Sequence, residues 1–160
     1  MQIILQYLND AGLKIDVTSD TIYINASDKL IQPINVTTAI YPGFPTDLQS
    51  QWMALMTKAK GQSVITEEIY NDRFTHISEL SRFGSQIQLL DNKATIQGRE
   101  NLKGAPVMST DIRSGASLII AALSAEGLSS ISRVYHIDRG YENIETKLSN
   151  LGARIHREKE

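Results

Sequence analysis

The strongest constraint on this chain is that it repeats itself. Leu48, Trp52, Leu55, Met56 and Ala59 fall at helical spacing, and Ile112, Ala116, Ile119, Ile120 and Leu123 reproduce that spacing 64 residues later. Thr46-Asp47, just before the first of these helices, falls on Thr110-Asp111 before the second. Farther on, Tyr70-Asn-Asp-Arg73 falls on His136-Ile-Asp-Arg139, now at an offset of 66. A leucine–glycine–isoleucine stop occurs three times, at Leu8/Gly12/Ile15, Leu80/Gly84/Ile87 and Leu148/Gly152/Ile155. Caps, helix faces and stops that recur together define a unit of about 70 residues, read as β-α-β-α-β-β.

Such units place the chain in the α/β class, built from α+β repeats whose neighbours share a core and parallel strands. The expected division is the end of one repeat at 1–32, a complete repeat at 33–98 and a last repeat at 99–160 without its closing strand. A chain that starts in mid-repeat reads as a fragment with something missing upstream. Within the units, residues 2–11 form a helix with Ile3, Ile4, Tyr7, Leu8 and Ala11 on one face, stopped by Gly12. Residues 13–17 and 21–25 alternate as a hairpin, and a β-rich stretch follows Pro33 over 34–40. After it come an amphipathic helix from Leu48 ending near Gly61, a strand at Ser63–Thr66 and a polar loop from Glu67 to Arg73. A second helix over His76–Phe83 and strands at Gln86–Leu90 and Lys93–Gln97 complete the unit.

Between the β-rich stretch and the amphipathic helix, Tyr41-Pro-Gly-Phe-Pro-Thr-Asp47 is an ordered turn, because Pro42, Gly43 and Pro45 interrupt any regular element. Asp47 and Asp111 stand at equivalent pre-helix positions, where a carboxylate caps orphan N–H groups. The proline-framed approach belongs to the first copy alone, and it favours Asp47 over Asp111 as a general base or ligand-binding acid. Arg73 and Arg139 are each read as following a strand and preceding a helix. Arg113 sits in the first turn of its helix, where the macrodipole disfavours a cation and an anionic partner is expected. Each arginine alone could be a solvated surface residue; three at loop–helix junctions point towards phosphate or carboxylate binding.

Other chemistries lack support. A net charge of −2 and 6% aromatic residues give no basic stacking surface for nucleic acid. With no cysteine there is no thiolate zinc site and no thiol nucleophile. His76, His136 and His156 have no ligand spacing, so neither metal nor cofactor is expected. Trp52 is read as core, and Glu145 and Lys147 as solvated. No signal peptide and no membrane-length apolar run are present, which gives a cytoplasmic reading.

Four motifs carry a specific resemblance. Tyr41–Gln51, Ile65-Thr-Glu-Glu-Ile-Tyr-Asn-Asp-Arg-Phe74, Ser109-Thr-Asp-Ile-Arg-Ser-Gly-Ala-Ser117 and Tyr135-His-Ile-Asp-Arg-Gly-Tyr-Glu142 resemble the UDP-N-acetylglucosamine 1-carboxyvinyltransferase family, the enolpyruvyl transferases that open peptidoglycan synthesis. The resemblance implies an inside-out α/β barrel, two similar domains of three units each with helices packed inward, of which this chain holds about two units of one domain. It implies transfer of enolpyruvyl from phosphoenolpyruvate to the 3-hydroxyl of UDP-N-acetylglucosamine. By the same resemblance Asp47 contacts and deprotonates the sugar hydroxyl, and Arg113 and Arg139 bind phosphoenolpyruvate. Arg73 lines the closed site, the Ile69 backbone meets the UDP-sugar with Tyr70 beside it, and Asp111 lies in the same cleft. The family's reactive cysteine, an active-site lysine and the other domain are not in this sequence. The chain alone is therefore expected to be inactive, to need the remainder of the enzyme as a partner and to self-associate through exposed core. The alternatives are the sister transferase acting on shikimate 3-phosphate and a non-catalytic anion-binding repeat module.

Overall fold

The computed structural model describes residues 2–26 and 31–158. The chain opens with α1 (Gln2–Asp10) and a hairpin of β1 (Lys14–Val17) and β2 (Ile22–Asn25), paired antiparallel as the alternation predicts. Next come β3 (Val36–Thr37), a 3₁₀ turn at Thr46–Leu48, α2 (Gln49–Met56) and β4 (Gln62–Thr66). A longer 3₁₀ segment, Asn71–His76, leads into α3 (Ile77–Arg82), β5 (Gln86–Leu90) and β6 (Lys93–Gln97). The remainder comprises β7 (Leu102–Lys103), β8 (Pro106–Met108), α4 (Ile112–Ser124), β9 (Ala125–Glu126), β10 (Ser130–Ser132), α5 (Tyr135–Asp138) and α6 (Ile144–Asn150).

From β3 to β6 the elements run β-α-β-α-β-β and make one mixed sheet of order β3-β4-β6-β5, with β3 and β4 parallel and the other pairs antiparallel. β8 and β10 pair in parallel, as do β7 and β9. The described strands thus form four separate sheets and no closed barrel.

The repeated glycine stop has a concrete cause. Gly12, Gly84 and Gly152 have φ of +98°, +83° and +94°, a region closed to most side chains. After α1, Gly12 N donates to Asn9 O and Leu13 N to Leu8 O; after α6, Gly152 N donates to Ser149 O and Ala153 N to Leu148 O. These are Schellman terminations, in which the repeating leucine supplies the carbonyl that the chain folds back onto.

Two expectations change. The strand after Pro33 is only Val36–Thr37, because Ala39 N bonds to Phe44 O and turns the chain early. The helix beginning near Leu48 is not amphipathic in its setting: Gln49, Ser50, Trp52, Met53, Ala54 and Met56 are all buried. It is enclosed by α4 and by the sheet, so its polar residues face protein instead of water.

Candidate functional site

The turn at 41–47 is anchored from below. Phe44 is buried and meets Tyr7 and Trp52 edge-to-face, with centroids 5.5 and 5.6 Å away, and Tyr7 and Trp52 lie 5.9 Å apart. Such edge-on aromatic packing fixes the ring orientation as well as burying area. The turn's polar end is therefore held at the surface, with Tyr41 wholly exposed on one side and Asp47 on the other.

Asp47 does not cap a helix. The 3₁₀ turn at 46–48 starts from Pro45 and α2 from Leu48, neither with a side-chain cap, which corrects the sequence expectation. Its Oδ1 instead accepts from Arg113 Nε at 2.6 Å and lies 3.8 Å from Arg73 Nη2. This also answers the question posed by a cation in the first turn of α4: the anion facing it is Asp47. Ser50 Oγ donates to Arg113 O, so the N-terminal ends of α2 and α4 meet at this point.

Asp111 does cap. Its Oδ1 accepts from Arg113 N at 2.8 Å and Ser114 N at 3.1 Å, and Asp111 N donates in return to Ser114 Oγ, completing a capping box. Burial opposes ionisation of Asp111, but the N–H groups of Ser114 and Arg113 and the Ser114 hydroxyl outweigh it. The carboxyl is held below its ordinary range.

Arg73 is held from three sides. Its Nε donates to Thr46 Oγ1 at 3.2 Å, its guanidinium lies 4.8 Å from the Tyr70 ring centroid, and Asp47 faces its tip. Its carbonyl accepts from His76 Nδ1 at 3.0 Å, which requires the proton on that nitrogen. Burial lowers the His76 pKa from 6.5 to about 4, so the ring is neutral at pH 7.

Ile69 and Tyr70 are exposed beside this cluster. Their N–H groups both donate to Glu67 Oε1, at 2.9 and 3.0 Å. Glu67 was not among the residues singled out in the sequence, where it sits at the head of a polar loop. The signal lay in the strand alternation: Ser63 and Ile65 point inward, and Glu67, two residues on, is likewise fully buried.

Arg139 stands apart. It is exposed, follows the short helix α5 instead of a strand, and forms no hydrogen bond or ion pair with Asp47, Arg73 or Arg113. Glu145 is also not simply solvated, because Arg157 bonds both it and Asp138. Among the described residues no group of three or more His, Cys, Asp or Glu could hold a metal ion. No helix among them is long and apolar enough to cross a membrane.

Comparison with known proteins identifies the family. The EPSP synthase (3-phosphoshikimate 1-carboxyvinyltransferase) family matches residues 1–148. A protein of Chlorobium luteolum named UDP-N-acetylglucosamine 1-carboxyvinyltransferase is 50% identical over 99% of this chain and 37% of its own length. One of the same name from Rhodopseudomonas palustris is 55% identical over 98% of this chain, again 37% of its own length. Among solved structures, the enolpyruvyl transferase NikO from Streptomyces tendae superposes with a TM-score of 0.87 at 27% identity, covering 97% of this chain and 36% of that one. The chain thus spans a little over a third of the length of the curated relatives it matches.

Proposed function

Because the chain belongs to the enolpyruvyl (1-carboxyvinyl) transferase family, we propose that it forms one wall of a site that moves enolpyruvyl from phosphoenolpyruvate to the 3-hydroxyl of UDP-N-acetylglucosamine. The observation that carries this reading is the convergence of Asp47, Arg73 and Arg113 from two successive repeats on one exposed point. The names of relatives at 50% and 55% identity favour the UDP-sugar over shikimate 3-phosphate as acceptor.

In this reading Asp47 is the base that takes the hydroxyl proton, and Arg113 is the cation that phosphoenolpyruvate draws away from it. Exchanging its carboxylate partner for a substrate anion costs Arg113 little, since the Asp47–Arg113 pair is largely open to solvent. Arg73 stays anchored through Thr46 and Tyr70 and supplies fixed positive charge on the other side of Asp47. The adjoining N-termini of α2 and α4 add backbone dipoles of the same sign. Ile69, its N–H already bound to Glu67, presents its carbonyl to the UDP-sugar, and Tyr70 flanks it. Asp111 fixes the first turn of α4 and so the backbone of Arg113. Arg139 joins only when the site closes on phosphoenolpyruvate.

The division into the end of one unit at 1–32, one unit at 33–98 and a last unit at 99–160 belongs to the same proposal. The test is to graft the chain in place of the matching stretch of the Rhodopseudomonas palustris relative and follow phosphate release from phosphoenolpyruvate. Release that requires UDP-N-acetylglucosamine, and is not supported by shikimate 3-phosphate, is expected. A folded graft that releases none with the UDP-sugar would overturn the reading.

A further inference from the structure

The Glu67 carboxylate is fully buried, and among the described residues no Lys, Arg or His forms an ion pair with it. Four donors surround it instead. Oε1 accepts from Thr38 Oγ1 at 2.7 Å, Ile69 N at 2.9 Å and Tyr70 N at 3.0 Å, and Oε2 accepts from Thr46 Oγ1 at 2.9 Å. Thr38 Oγ1 in turn accepts from Glu68 N. One acid therefore ties together the end of β3, the turn that carries Asp47 and the loop that carries Ile69 and Tyr70.

The Thr46 hydroxyl gives this tie a direction. It has one proton, spent on Glu67, so only its lone pairs remain to receive Arg73 Nε. A neutral side chain in place of Glu67 would free the hydroxyl to turn, and its lone pairs would no longer be held towards Arg73 Nε. The network is not a requirement of the repeat. Thr38 N bonds to Thr66 O as Ser109 N bonds to Ser132 O, which equates Thr66 with Ser132 and therefore Glu67 with Arg133 in the last copy. There the same β-α-β arrangement forms around a residue of opposite charge.

We propose that Glu67 is a positioning residue for the site, acting through Thr46 on Arg73 and through two backbone N–H groups on Ile69 and Tyr70. The role at the site rests on the functional reading above; the mechanical role does not. The two are separable by ¹⁵N–¹H spectroscopy of the 160-residue chain, reading hydrogen exchange at the Ile69 and Tyr70 amides and at Arg73 Nε–H, with UDP-N-acetylglucosamine and inorganic phosphate as probes. In Glu67→Gln all three protons are expected to exchange about tenfold faster or more, the effect of losing a charged acceptor. Thr46→Val should expose Arg73 Nε–H while leaving both amides protected, and Thr46→Ser should restore it. That pattern supports the positioning role whether or not either probe binds this one wall; the functional reading fails separately, if the folded graft described above releases no phosphate with the UDP-sugar. Arg73 Nε–H exchange unchanged in Thr46→Val overturns the proposal whatever the probes do, and it remains readable if Glu67→Gln does not fold.

Discussion

Asp47 and Asp111 occupy matching places in two copies of one unit and do different work. Asp111 holds the first turn of α4, and Asp111→Ala should cost about 1 kcal/mol in a urea titration, the usual loss for a capping acid. Asp47 caps nothing and pairs in the open, so Asp47→Ala should stay within about 0.5 kcal/mol of the parent in the same titration. An equal loss in both variants would contradict the assignment. His76 sets a pH dependence. Its pKa is about 4 when folded and near 6.5 when unfolded, so the unfolded chain binds the extra proton between those values. Stability should therefore fall as pH drops from about 6.5 towards 4, by roughly 3 kcal/mol over the whole window. The depressed Asp111 carboxyl adds a loss of the same sign in acid, below the ordinary carboxylate range. Denaturant midpoints at pH 7 and pH 5 should differ in the parent, and the difference should shrink in His76→Gln.

At the scale of elements, the strands at 86–90 and 93–97 and the glycine stops were legible because period-two alternation and Schellman glycines are local signals. The burial of α2 was not. Trp52, Leu55 and Met56 give it an apolar stripe, but Gln49, Ser50 and Thr57 are covered by α4 and the sheet, which no single-helix pattern reveals. The supposed cap at Thr46-Asp47 failed for a related reason. The Pro-Gly-Phe-Pro turn buries Phe44 and delivers Thr46 to Glu67, so α2 begins only at Gln49. The alternation of β4 marked the place of Glu67 as inward, but not its role, because the donors that a buried acid needs come from three separate segments that only folding brings together. Where elements touch closely the consequences can be measured. A Cβ at Gly115 in α4 would collide with Ile137 of α5 and lie 2.7 Å from Ser109 Oγ. Gly115→Ala should lower stability by about 1–3 kcal/mol despite its better helix propensity. Thermal unfolding measures this, and a gain in melting temperature would mean that α5 is not seated on α4.

At the scale of the molecule, the proposed division into units accounts for how the proposed site is assembled. Two units each bring a helix N-terminus to the same place, and they differ in what stands beside it. The middle unit supplies Asp47, Arg73 and the Glu67 network, and the last unit supplies Arg113 on its Asp111 cap. Arg139 lies outside this cluster, and the sequence motif that contains it gives no distance. The measurement that bears most directly on the central claim is phosphate release by the grafted enzyme, compared between Asp47 and Asp47→Asn. A fall in kcat of about 10²–10⁴-fold with KM for UDP-N-acetylglucosamine little changed is predicted, the loss that a general base leaves behind. Turnover unchanged by Asp47→Asn in a folded, sugar-binding graft would contradict it.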